Sequence, residues 1–437
     1  MMTSDTHSKE EEEQNNKAAN DSLIECNTSE ASRKETSSPV DIRVNSMPPE
    51  TPPDVDVIIV GGGPAGLSAA LILGRANRSV LIFDSAEQRN SVSETQHAIL
   101  GADGENRAQF LVRAREQVLA YPTVQFVEKT VVDIDIEAAR TRGTTKTKLR
   151  NHEIVTKTWN FEAFTEDYMS YRSKKLILAT GVRDLMPNIE GFDTFWGRGI
   201  FVCLFCDCYE YNGGVLGAYG NGKRGVHIAF EMLLWSPNVI LFTNGQPLEA
   251  TEHERKLLKQ KNIKVIETPI SRAYGNEEKE DEDSNNSVEK YDDKKSSIPE
   301  VSKKKDHLAG LELSDGTRIP LDALFYNTGR FQSSTIPDKI GLTADSRGDL
   351  VCEERGNVKC VHGLYAAGNC SKAPLKLVIT AASQGAVTGA KINSELMYEE
   401  LGLADGTDGG VISEEKKKES LKSWLWPSWR WLGYSSS

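Results

Sequence analysis

The apolar run Val55-Asp56-Val57-Ile58-Ile59-Val60 passes directly into Gly61-Gly62-Gly63-Pro64-Ala65-Gly66, and an Ala- and Leu-rich stretch follows from Leu67 to Gly74. A strand, a Gly turn and a helix with no loop between them constrain the fold severely. Gly61 allows a tight turn, Gly63 lets a pyrophosphate approach the backbone, and Gly66 lets helix and strand pack closely. The helix N-terminus then offers unpaired N–H groups and partial positive charge to phosphate. Ser79 to Phe83 reads as the next strand, closed by Asp84 eighteen residues after Gly66. That spacing suits a carboxylate accepting hydrogen bonds from an adenosine ribose. A turn whose glycines serve packing alone is the competing reading, and Asp84 with both flanks argues against it.

The same grammar recurs. Val215 to Tyr219 leads into Gly220-Asn221-Gly222-Lys223-Arg224-Gly225, then a helix expected over Val226 to Trp235, then a strand from Asn238 to Phe242. Two such units predict an α/β protein with two Rossmann-like dinucleotide-binding domains and parallel sheets.

Hydrophobic residues make up only 38% of the 437, which is thin for a chain folded throughout. Residues 1–53, with eleven acidic and five basic residues, read as a disordered acidic tail. Residues 275–306 read as a polyampholyte insert with eleven acidic and seven basic residues. With the C-terminal stretch from Gly406, these segments carry nine of the twelve net negative charges. The acidity therefore says little about a substrate, and no broad nucleic-acid surface is expected. No apolar run reaches about 18 residues, so no transmembrane helix is expected. The acidic start fits neither a secretory nor a mitochondrial leader, which points to a cytoplasmic location. At the other end Trp424, Trp426, Trp429 and Trp431 follow Lys416-Lys417-Lys418, a candidate for weak membrane-surface contact. A tail packed on the body or on a partner is the plainer alternative.

Seven cysteines without a secretory leader argue against a disulfide framework. They direct attention to Cys203-Leu204-Phe205-Cys206-Asp207. A Cys-x-x-Cys at a helix N-terminus forms a reversible disulfide, with the dipole lowering the thiol pKa. Zinc is the main competitor, but it needs four ligands, and no second Cys-x-x-Cys exists. No metal site is expected. Cys208 reads either as packing or as an extra thiol able to reshuffle the pair.

Two further turns extend the pattern: Lys175 to Leu178 ending in Ala179-Thr180-Gly181, and Gly363-Leu364-Tyr365-Ala366-Ala367-Gly368-Asn369. With these the chain, from Asp54 to Leu401, resembles the low-molecular-weight thioredoxin reductase family of two-dinucleotide-domain flavoproteins. The resemblance implies non-covalent FAD in a domain formed by 54–190 and 331–402. A second domain over 191–330 is then inserted into it, carries the Cys pair, and is followed by the tail 403–437. It implies that Gly61, Gly63, Pro64, Ala65, Gly66, Asp84, Ala179, Thr180, Gly181, Gly368 and Asn369 hold the cofactor. A helix near Thr380 to Ile392, with Ala381, would face the flavin. Asn369 stands where the family has Asp and lacks charge assistance. Cys206 would face the flavin, Cys203 would meet the substrate, and Asp207 would shuttle a proton. His97, in a His-x-x-x-x-x-Asp-Gly stretch, is either a group near flavin or substrate or a structural hydrogen-bonding His. A homodimer is implied as well.

One departure bears on function. The family grips NADPH with bases after the second strand of the inserted domain, and here Thr243-Asn244-Gly245-Gln246 follows Phe242. Gly220, Gly222 and Gly225 remain a candidate nicotinamide site, but weak and unselective NADPH binding is expected. That loss resembles the fungal dithiol oxidases that close disulfides such as that of gliotoxin, which pass electrons to dioxygen. The expected activity is FAD-dependent oxidation of a small-molecule dithiol. The alternatives are NADPH-dependent reduction of thioredoxin, and a silent flavoprotein that serves as an interaction module.

Overall fold

In the computed structural model the described residues are 54–136, 146–149, 152–155, 160–276, 306–352, 356, 358, 361–373 and 375–401. The expected tails at 1–53 and 403–437, with the Trp cluster, and nearly all of the insert at 275–306 lie outside them. The first strand, Val55–Val60, is central in a seven-stranded sheet. It pairs in parallel with Val80–Phe83 on one side and Ser170–Leu178 on the other. Val124–Val127 extends one edge in parallel, and Leu364–Ala366 joins Ser170–Leu178 in parallel. The N-terminal half of Ser170–Leu178 runs antiparallel to Phe161–Thr165, which pairs with Val131–Asp135.

The continuous apolar run at 57–60 has a physical reason. Val57 and Ile59 pack against the helices on one face, while Ile58 and Val60 pack under Val131, Phe161 and Leu350 on the other. A parallel strand buried on both faces has no position to give to a polar side chain.

The helix Pro64–Arg75 follows the first Gly turn, and the last helix, Val378–Glu400, lies across it. A Cβ on Gly385 would stand 1.9 Å from the Ala65 carbonyl oxygen, and one on Gly389 2.8 Å from that of Ala69. Only glycine lets the two backbones approach so closely. The last helix is longer than the expected Thr380–Ile392, and a buried charge cluster fastens its far end. Lys175, with no exposed side-chain surface, lies 2.6 Å from Glu399 and 3.3 Å from Glu395. Tyr365 OH also donates to Glu395. Glu399 is half-exposed and Glu395 keeps Lys391 at 3.8 Å, so removing Lys175 forfeits its charge-assisted bonds, about 1.5–3 kcal/mol, rather than leaving a fully unpaired charge. Lys175→Met is expected to lose a comparable amount in a urea titration, and an unchanged midpoint would refute the cluster as an anchor.

The chain leaves this sheet through Val182–Asp184 and returns through Arg330–Gln332, which pair antiparallel. Everything between is inserted. The insertion holds a parallel five-stranded sheet in the order Ile200–Phe201, Ala323–Tyr326, Leu216–Tyr219, Val239–Phe242, Lys264–Ile266. A separate antiparallel three-stranded sheet, Ile270–Gly275, Leu308–Leu313 and Arg318–Pro320, completes it. The architecture is α/β with two Rossmann-like units, the second inserted in the first. No described helix is long and apolar enough to cross a membrane.

Candidate active site

Gly61 has φ +114°, and a Cβ there would lie 2.3 Å from the Ala179 carbonyl oxygen. A Cβ on Gly66 would lie 1.9 Å from that of Gly61, so both positions are closed to larger residues. Gly63 differs: a Cβ there meets no protein atom within 4 Å. It caps the helix with no side-chain bond, and Pro64 at the first position has no N–H to satisfy. The turn faces a cavity of about 500 Å³. Gly61, Gly63, Pro64, Ala65, Asp84, Ala179, Thr180, Gly181, Asn369 and Ala381 all line it. Gly66 and Gly368 stand behind the wall, where they permit close packing; a Cβ on Gly368 would be 2.6 Å from that of Ala65. Asp84, nearly buried, accepts from Ala86 N at 3.2 Å and Gln88 Nε2 at 3.3 Å.

These residues fit FAD. An open Gly turn at a helix start suits a pyrophosphate, and a carboxylate at the next strand end suits a ribose. Gln96, also nearly buried, lines the cavity with an Nε2 that has no protein partner, a donor awaiting a ligand. Neither Gln96 nor Lys376 was legible as a site residue. Lys376 lines the cavity, donates to the carbonyls of Asn369 (3.0 Å) and Ser371 (2.5 Å), and pairs with the buried Asp349 at 2.9 Å. A lone Lys in a loop carries no sequence signal.

Cys203 and Cys206 form a disulfide with Cα atoms 5.3 Å apart, and both line this same cavity with Asp207. The helix at the pair, Leu204–Asp207, is a single turn, shorter than the element the motif suggested. A macrodipole needs aligned peptides, so one turn offers the thiols only local N–H groups. Nearby acids set the electrostatics instead. Burial first, then the Glu210 charge, push the Asp207 carboxyl up to about 7. Cys208 is fully buried, and burial aided by Asp207, Glu210 and Glu231 pushes its thiol up to about 12. It is a packing residue, not a third exchanging thiol.

The raised Asp207 has a consequence for stability. Between its ordinary 3.8 and about 7 the folded state binds more protons than the unfolded state, so stability falls as pH rises through that window. Asp207→Asn is expected to melt roughly 2–6 °C above the unmodified protein at pH 8, with the gap closing towards pH 4. Calorimetry at the two pH values checks this. An equal gap at both would rule out the raised carboxyl.

His97 also lines the cavity, with Nε2 3.4 Å from Glu210 Oε1 and Nδ1 3.8 Å from Asp103 Oδ1. The fold thus brings together the Cys pair, Asp207, His97 and the first Gly turn.

Gly220, Gly222 and Gly225 are not part of this cavity lining. Their helix starts at Gly222, one turn before the expected Val226, because Asn221 caps it. Asn221 Oδ1 accepts from Gly222 N and Glu249 N, both at 2.8 Å, and its Nδ2 donates to the Pro247 carbonyl. The Glu249 carboxylate stands 3.3 Å from where a Gly222 Cβ would be. Thr243 is buried and bonds within its own turn, and Asn244 holds Tyr219 OH and Ile270 N. Arg255 donates to the carbonyls of Ala250 and Leu248 and is engaged in its own loop.

The pyridine nucleotide-disulphide oxidoreductase profile matches residues 55–385. Thioredoxin reductase tcpT of Claviceps purpurea is 30% identical over 356 residues, 78% of this chain and 94% of that protein. Thioredoxin reductase sirT of Leptosphaeria maculans is 27% identical over the same shares. Among solved structures, the thioredoxin reductase TrxB from Bacillus anthracis, described there as putative, aligns at TM-score 0.64 and 26% identity, covering 79% of this chain and 99% of its own. HlmI aligns at TM-score 0.64 and 25% identity, covering 82% and 96%. Matched from first strand to last helix, the chain belongs to the pyridine nucleotide-disulphide oxidoreductase family, as a thioredoxin reductase-like flavoprotein enzyme with FAD as its cofactor.

Proposed function

We propose that the enzyme oxidises a small-molecule dithiol to its disulfide at Cys203–Cys206, with dioxygen as the final electron acceptor. The observation that carries this reading is the second Gly turn. Its helix start is capped by Asn221, faces the Glu249 carboxylate, and has no free base on the following strand end. A nicotinamide dinucleotide gains little there, so the electrons are better supplied by the dithiol itself.

A substrate thiolate attacks Cys203 and expels Cys206 as a thiolate. The second substrate thiolate then attacks its own partner sulfur in the mixed disulfide, closing the product and releasing Cys203. Asp207, whose carboxyl sits near neutrality, takes up a proton as the dithiol ionises. Gly63, Pro64 and Ala65 would hold the FAD pyrophosphate and Asp84 the ribose, with Lys376 and Ala381 also on the cavity wall. Bound FAD supplies a two-electron acceptor for the reduced cysteine pair and a route onward to dioxygen.

In air, dithiothreitol added to the holoenzyme is expected to consume one dioxygen and yield one hydrogen peroxide per disulfide formed, with no nicotinamide present. Turnover that requires NADPH would overturn the reading. The names of the relatives favour a second one, NADPH-dependent reduction of thioredoxin; coupled NADPH oxidation in the presence of thioredoxin would establish it.

A further inference from the structure

Two glutamines line the cofactor cavity, and their amides have different fates. Gln88 donates its Nε2 to Asp84 at 3.3 Å. Gln96 is only 6% exposed, and its Nε2 is buried with no hydrogen-bond partner. The backbone holds it in place: Gln96 pairs with Glu105 in a short antiparallel ladder, and its carbonyl accepts from Gly104 N at 2.9 Å. A buried amide donor without an acceptor is costly, and a ligand that supplies the acceptor removes the cost.

The neighbours of Gln96 indicate which part of FAD that acceptor belongs to. The next residue, His97, stands with Nε2 3.4 Å from Glu210, which follows closely on Cys206 in the chain. The segment carrying Gln96 therefore meets the segment carrying the Cys pair. Cys203 and Cys206 line the same cavity, and electrons pass between a thiol pair and a flavin only where the two adjoin. The ribose and pyrophosphate have their own partners in Asp84 and the first Gly turn, which leaves the ring for Gln96.

We propose that Gln96 donates a hydrogen bond from Nε2 to the flavin ring of bound FAD and raises the ring's affinity for electrons. The inference rests on the FAD assignment and not on the identity of the substrate or of the final electron acceptor. The polar edge of the ring presents carbonyl oxygens and ring nitrogens that accept hydrogen bonds, and their negative charge grows on reduction. A donor bonds more strongly to the more negative acceptor, so the amide favours the reduced ring over the oxidised one. In closing their disulfide, the Cys203 and Cys206 thiolates give up two electrons, and with one proton these convert the ring to its anionic reduced form. The Gln96 donor draws that equilibrium forward. An ionised carboxylate in its place would have no hydrogen to give.

The test uses the full chain with Cys203→Ser and Cys206→Ser, so that electrons enter the ring alone, and compares it with the same chain carrying Gln96→Leu. Equilibrium dialysis gives FAD affinity, absorption spectroscopy the flavin bands, and anaerobic titration against a reference dye the ring's potential. Gln96→Leu is expected to bind oxidised FAD several-fold more weakly and to move the flavin bands. Its two-electron equilibrium with the dye is expected to shift about tenfold towards the oxidised ring, about 30 mV. Asp84→Asn is the contrast: it should weaken FAD binding and leave bands and potential where they are. Circular dichroism reports folding, and Gln96→Met, equally without a donor, decides if the Leu variant does not fold. Weaker FAD binding with unchanged bands and potential would assign the amide to the dinucleotide chain and overturn the proposal. Unchanged values throughout would assign it to water and overturn it equally. Peroxide yield from dithiothreitol is read separately, so the proposal can fail while the oxidase reading stands, and the reverse.

Discussion

Cys206→Ser is expected to carry a persistent adduct on Cys203 after exposure to bis(2-hydroxyethyl) disulfide, and to lose dithiothreitol turnover by about three orders of magnitude or more. The two sulfurs have separate tasks. A free Cys203 thiolate attacks the added disulfide, one half stays bonded to Cys203, and the other leaves as a thiol. In the intact pair Cys206 resolves that bond at once; a serine hydroxyl cannot. Among the described residues Cys203 and Cys206, with Cα atoms 5.3 Å apart, are the only cysteines lining the cavity. Cys208 is buried with its thiol pushed up to about 12, and Cys370 is fully buried with its thiol also pushed up by burial. Cys203→Ser should lose turnover equally but collect no comparable adduct. Adduct found mainly on Cys206 in that variant would reverse the assigned order of attack.

Flavin reduction by NADPH is expected to be at least about 100-fold slower than by dithiothreitol, with little preference over NADH. A charge-assisted contact to a 2′-phosphate contributes about 1.5–3 kcal/mol, roughly ten- to a hundredfold in affinity. Here Thr243 is buried and Asn244, at φ +51°, is tied to Tyr219 and Ile270, so neither position can simply receive a base. The Glu249 carboxylate adds repulsion where a pyrophosphate would approach. Glu249→Gln should therefore improve NADPH and NADH binding alike, while leaving dithiol oxidation unchanged. Stopped-flow measurement with each donor decides it. Rapid NADPH reduction of the unmodified enzyme would make the reductase reading the better one.

Much of the scaffold was legible from residue order. The run Val57 to Val60, its Gly turn and Asp84 specify a strand, a tight turn and a carboxylate at the next strand end through local geometry alone, and the strand–turn–helix–strand unit repeats at Leu216 to Phe242. Helix starts were less legible. Asn221 caps its helix inside the Gly turn, which placed the first helical residue earlier than the apolar pattern indicated. The lengths of the helices at Leu204 and Val378 followed from packing rather than from pattern. Gly385 and Gly389 have no local signature of their role, which the Ala65 and Ala69 carbonyls packed against them define.

The sequence by itself determined the chemistry available: an exchangeable Cys pair, an acid beside it, a first Gly turn with a carboxylate at the next strand end, and a second Gly turn whose following strand ends without a base. The missing bases are those of the strand end Thr243-Asn244-Gly245, since the second turn itself holds Lys223 and Arg224. All these features depend on residues close in the chain, where backbone geometry and side-chain type suffice. Only the tertiary structure decided which of these groups meet. The Cys pair and the first Gly turn share one cavity because the inserted sheet is returned through the paired strands at Val182 and Arg330. The His97–Glu210 contact and the place of Lys376 at the wall arise in the same way, from loops distant in sequence. Such contacts are set by how two buried sheets and their covering helices pack, and no local pattern encodes that.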